Sequence, residues 1–156
     1  MKHASGLAVL VLCGHSAFAV AQDLTWRADI QPMITQKCAA CHGAGSPSYE
    51  EWNLDRKSFE AKSLGPRMDN YSDLMRHVVW PATGSLARRL DDGKSTGGKP
   101  GNHYAALGAT EAERAKNLAL VKRWLGDGAW NLNRWEARDN VPAVTKEQLS
   151  KIKAKY

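Results

Sequence analysis

Residues 38–42 read Cys-Ala-Ala-Cys-His, placing two thiols and an imidazole within five positions of a 156-residue chain. Three chemistries use such a stretch. A pair of thiolates can supply half of a tetrahedral zinc site. Two thiols separated by two residues can cycle with a disulfide. Two thiols can also add to the two vinyl groups along one porphyrin edge. The imidazole that follows directly then lies beneath the iron, where a ring nitrogen can bind it.

The compartment bears on all three. Lys2 is followed by an apolar run, Leu7 to Cys13, and no acidic residue occurs before Asp23. Small residues in "SAFAVAQD" offer A-x-A cleavage sites, and cutting after Ala19-Val20-Ala21 leaves Gln22 first. This pattern reads as a secretory signal peptide over residues 1–21. The apolar run is far shorter than the about 20 residues a membrane span needs. Export removes Cys13, so Cys38 and Cys41 are the cysteines left in an oxidising compartment. From Gln22 onward the formal charge is +5, of which +3 falls in the last 26 residues. Basicity concentrated in a tail does not describe a nucleic-acid-binding face, and no nucleic-acid partner is expected.

The elements that must position the motif are helical. Asp29 can cap a helix through "IQPMITQKC", with Pro32 in its first turn and Ile30, Met33 and Ile34 on one face. "HGAGSPSYEEWN" reads as a Gly/Pro/Ser loop. A second helix covers "YSDLMRHVV", capped by Asn70 or Ser72, with Tyr71, Leu74, Met75 and Val78 inward and Pro81 ending it. A shorter one, "SLARRLDD", buries Leu86 and Leu90, and residues 93–102, "GKSTGGKPGN", cannot be regular structure. The strongest helix starts at a Thr110/Glu113 capping box and aligns Ala115, Leu118, Val121 and Leu125, widened by Leu120 and Trp124. Gly126 and Gly128 terminate it. "WNLNRWEARDNVPAV" is looser and leads to a last short helix capped by Thr145 with Gln148, with Lys151 and Lys155 exposed. No stretch alternates like a strand, so the expected class is all-α with long loops.

These elements discriminate among the chemistries. Zinc needs a second ligand pair, and His77 and His103 stand 35 and 61 residues beyond His42 without paired spacing. A thioredoxin-like dithiol needs its cysteines at the start of a helix on a sheet, whereas this pair follows a helix. Covalent haem uses every residue of the motif: Cys38 and Cys41 for attachment and His42 for the iron.

With the motif in place, "DIQPMITQKCAACHG" and "ATEAERAKNLALVKRWLGDGAW" resemble the first and last helices of monohaem class I c-type cytochromes, over roughly residues 28–130. The resemblance implies class I cytochrome c-like helices packed around one covalently attached haem c. It also implies a crossing of those helices that brings Ile30 and Ile34 against Leu120, Val121 or Trp124. On this reading residues 22–130 form the cytochrome domain, and 131–156 are a C-terminal extension with a short basic helix outside the family pattern. The family usually draws a methionine, its sixth ligand, from a loop just before the last helix. Here that place is "KPGNHYAALGATEAER" and the residue is His103, while no methionine follows Met75. Met68, Met75, His77 and an open iron position are the alternatives. A second imidazole in place of a thioether implies a lower reduction potential.

Six tryptophans offer flat faces and N–H donors. Trp52 or Trp80, helped by Arg67, Arg88 or Arg89, is expected at a haem propionate, and Pro47 at the second nitrogen of His42. Lys94 and Lys99 flank the haem-covering loop and could steer acidic partners. No nucleophile–base pair or paired carboxylates accompany the motif. The expected function is a periplasmic one-electron carrier, peripheral to a membrane at most, serving redox proteins with acidic docking surfaces. An electron-transfer subunit of a larger enzyme, with the tail as docking arm, and a gas-binding haem protein are the alternatives.

Overall fold

The computed structural model describes residues 23–94, 97–131 and 144–156. The expected signal peptide and most of the looser stretch before the last helix lie outside these residues. Thr25 opens the first helical run: its hydroxyl accepts the Ala28 N–H at 3.2 Å, and its own N–H donates to the Asp29 carboxylate at 2.8 Å. The cap is therefore Thr25 and not Asp29, which serves as the reciprocal acceptor. A π-helical turn, Trp26–Ile30, continues into α1 (Gln31–Lys37), with Pro32 in its first turn as expected. Ile30, Met33 and Ile34 are buried, and α2 (Ala39–His42) carries the motif.

The stretch expected as loop after the motif instead contains α3 (Tyr49–Leu54). Ser48 and Glu51 form a full capping box there, a local signal strong enough to nucleate two turns beside glycine and proline. Asp55 opens α4 (Arg56–Ala61). Asn70 caps α5 (Tyr71–Arg76), which stops short of Pro81, and α6 (Ser85–Leu90) buries Leu86, Ala87 and Leu90. A 3-10 turn, Tyr104–Leu107, precedes α7 (Glu111–Leu125). Thr110 accepts the Glu113 N–H at 3.2 Å, while the Glu113 carboxylate reaches past the cap to the Ala109 N–H at 2.8 Å. Leu118, Val121, Trp124 and Leu125 are the buried face of α7; Ala115, expected there, is exposed. Gly126 ends α7, α8 (Asp127–Trp130) follows, and α9 (Lys146–Ser150) has the expected Thr145/Gln148 capping box.

The core forms where the first helical run meets α7, as the resemblance implied. Ile30, Ile34, Val121 and Trp124 belong to one buried cluster, with Leu120 packed against it. Its centre is aromatic: Trp26 and Trp124 lie 6.0 Å apart between ring centroids, and Tyr71 meets both edge-on at 6.2 Å. The chain's last residues close over this crossing. The Lys155 carbonyl accepts the Trp26 N–H and the Trp124 indole N–H, each at 2.8 Å. The Ala154 carbonyl accepts the Tyr71 hydroxyl at 2.8 Å, and the Lys155 ammonium pairs with Asp23. One isolated bridge, Thr25 to Lys155, is the extent of extended pairing, and no strand forms among the described residues.

Candidate haem centre

One short turn arranges the motif. The Cys38 carbonyl accepts the N–H groups of Cys41 at 3.2 Å and His42 at 2.9 Å, leaving Cys38 half-buried, Cys41 exposed and His42 buried. Burial and the neighbouring Cys41 push the Cys38 thiol up to about 11. A redox dithiol needs the opposite shift; Cys38 closes α1 and precedes the four-residue α2, which does not offset its burial. Among the described residues no group of three or more His, Cys, Asp or Glu side chains is spaced to hold a bare metal ion. The geometry thus withholds the second ligand pair that zinc would need.

The loop before α5 holds the His42 ring from two directions. Its Nδ1–H donates to the Pro66 carbonyl at 2.7 Å, which fixes the tautomer and leaves Nε2 as the ligating nitrogen. This corrects the expectation for Pro47, whose carbonyl instead accepts the Arg67 N–H at 2.8 Å. A Cβ on Gly65 would stand 2.1 Å from Cε1 of His42, so only glycine lets the backbone lie on the imidazole. The loop is tied back to the motif by Gly65 N–H to the Cys41 carbonyl at 2.8 Å and Met68 N–H to the His42 carbonyl at 2.9 Å. Burial, the largest effect, lowers the His42 pKa against the opposing Pro66 bond, and so favours the neutral, ligating imidazole.

Across from it stands His103. The His42 and His103 ring centroids are 5.9 Å apart, with the planes inclined at 53°. The His103 Nδ1–H donates to the Asn102 side-chain carbonyl at 3.0 Å, leaving Nε2 available here too. Burial, Arg89 and His42 push the His103 pKa down to about 4, so this ring is also neutral. Its backbone is docked on α6 by the His103 N–H to the Arg89 carbonyl at 2.9 Å. The alternatives are engaged elsewhere. Met68 and Met75 pack against the core, and the His77 ring lies edge-on to Tyr49 at 5.5 Å between centroids.

The arrangement fits a haem. Two imidazoles clamping one metal each contribute a bond of about 2 Å plus the radius of a five-membered ring. Ring centroids about 6 Å apart suit that clamp. Apart from its metal, a haem is hydrocarbon except at two carboxylates, so the cavity must also offer donors. Three buried ring nitrogens among the described residues have no hydrogen-bond partner: Trp52 Nε1, His77 Nε2 and Trp130 Nε1. The His77 Nδ1 meets the Ser85 hydroxyl at 3.0 Å, and that hydroxyl donates to the His77 carbonyl at 3.4 Å. Arg89 adds positive charge felt by His42, His77 and His103 alike. The other candidates fall away. Trp80 is 73% exposed, Arg67 is bonded to Asp69 at 2.5 Å, and Arg88 donates to the Thr83 carbonyl at 2.9 Å. Lys94 pairs with Asp92 at 3.3 Å.

Sequence reasoning missed Pro66, Gly65 and Asn102. A Gly-Pro pair in a loop was the available signal for the first two. No curated protein matches the chain. The family model for PccH cytochrome c matches residues 25–156. That match runs through the last residue, Tyr156. A solved structure, the monohaem cytochrome PccH from Geobacter sulfurreducens, shares 46% identity with a TM-score of 0.74, covering 86% of this chain and 100% of that one. The chain accordingly belongs to the PccH cytochrome c family and is a monohaem cytochrome, an all-α, haem-based electron carrier.

Proposed function

We propose that the protein is a periplasmic one-electron carrier with a single haem c, attached through Cys38 and Cys41 and clamped between His42 and His103. The supporting observation is the facing pair of neutral imidazoles, 5.9 Å apart, each with its Nδ1 already committed. When bound, the haem supplies the Fe(III)/Fe(II) couple. The chain's part would be to hold the iron with His42 and His103 and to offer the Trp52 indole N–H and the Arg89 charge to the haem carboxylates. His42 and His103 would both hold the iron, so no substrate need bind at the metal, and the protein acts without catalysing a reaction of its own. They also favour Fe(III) over a thioether ligand and hold the potential low.

Export is supported by the basic start, apolar run and small-residue exit of residues 1–21. No helix among the described residues is long and apolar enough to cross a membrane. The net positive charge suits redox partners with acidic docking faces. The tail's last residues are spent on the aromatic core, which favours a self-contained carrier over a subunit with a detached arm. Carbon monoxide offered to the reduced holoprotein at neutral pH tests the reading. A clamped carrier exchanges one electron per chain and binds the gas slowly; rapid, stoichiometric binding would mean a gas-binding protein instead.

A further inference from the structure

Asp91 has no solvent exposure, and neither haem ligation nor the core uses it. It closes the C-terminal end of α6, where unpaired carbonyls disfavour a negative charge, so helix stability does not explain the residue. Its bonds explain it. The carboxylate accepts the Gly93 N–H at 3.0 Å, at the start of the glycine-rich loop. Its backbone carbonyl accepts the Gly101 N–H at 2.8 Å, at the end of the same loop. Two residues later the His103 N–H meets the Arg89 carbonyl at 2.9 Å. The seam is tight: a Cβ on Gly101 would stand 2.3 Å from the carbonyl oxygens of both Arg88 and Arg89. Gly93 has φ +85°, and its own Cβ would meet the Pro100 nitrogen at 2.8 Å, so both ends of the loop converge on Asp91.

We propose that Asp91 is a positioning residue for the sixth iron ligand. By gathering both ends of the loop onto the end of α6, it delivers the His103 ring to the face opposite His42. This rests on the two-imidazole reading above. The seam then decides whether the iron stays closed as a carrier or opens to small ligands. On this reading Asp91 acts by placing the His103 ring.

The test uses purified holoproteins of the wild type, D91A, D91N, G101A and H103A. The readouts are oxidised spectra for spin state and the rate of carbon monoxide binding to the reduced form. H103A sets the open-iron limit. D91A and G101A should each gain high-spin character and bind the gas faster by about tenfold or more, the scale expected for a lost buried hydrogen bond. D91N keeps an acceptor for Gly93 and should fall between wild type and D91A. Should D91A not accumulate, G101A and D91N decide alone. The inference is overturned if D91A and G101A lose thermal stability yet keep wild-type spectra and gas-binding rates while H103A opens the iron. An H103A protein indistinguishable from wild type would instead overturn the ligand reading, and the inference with it.

Discussion

The two imidazoles are held in unlike ways. His42 is buried, and its Nδ1 bonds a main-chain carbonyl that cannot rotate away. The loop supplying that carbonyl is itself bonded back to Cys41 and His42, and Gly65 lies on the ring. His103 is half-buried, and its Nδ1 bonds the side chain of an exposed neighbour, Asn102. Its fixity comes from its backbone, docked on the end of α6. One side is an anchor built from main chain, whereas the other is an arm whose aim depends on a loop. On the proposed ligation the first would keep the haem in place, and the second would set the reduction potential and close the iron.

Breaking the anchor should have the largest effect. In Gly65→Val the added Cβ must displace the His42 ring or the loop, since even a lone Cβ would stand 2.1 Å from Cε1. The expected outcome is loss of the low-spin spectrum, with much of the product lacking haem by intact mass. Deleting Ala154–Tyr156 attacks the platform beneath the anchor. It removes the acceptors for Trp26 N–H, Trp124 Nε1–H and the Tyr71 hydroxyl. Each buried donor left unpaired costs about 1–3 kcal/mol, so denaturant unfolding should show a clear fall in stability. The spectrum of the molecules still folded should not change.

Asn102→Ala sharpens the contrast from the weaker side. It removes one partly solvated hydrogen bond, worth about 0.5–1.5 kcal/mol, and leaves the seam on α6 intact. Wild-type stability, a low-spin spectrum and a slightly faster gas-binding rate are expected. An effect as large as that of Gly65→Val would abolish the distinction between anchor and arm.

The motif was legible because side chains carried the signal. Thiols and an imidazole at fixed spacing marked the turn, and the His103 ring does face that of His42 at 5.9 Å. The capped α7 and its apolar face were legible for the same reason, although Ala115 lies outside the buried stripe. What escaped was main chain. Pro66 matters for a carbonyl 24 residues from His42, and Lys155 for a carbonyl that satisfies two donors in the core. Side-chain type says nothing about either, which is why a tail of lysines looked like an appendage. In α3, the Ser48/Glu51 capping box starts a helix within a stretch whose glycines and proline read as loop.

The central claim, a haem clamped by His42 and His103, is tested most directly by the oxidised spectrum and midpoint potential of the wild type beside His103→Met. The account predicts no thioether-to-iron charge-transfer band in the wild type. In the variant that band should appear and the potential should rise. A thioether band already present in the wild type, or a variant unchanged in both band and potential, would contradict it.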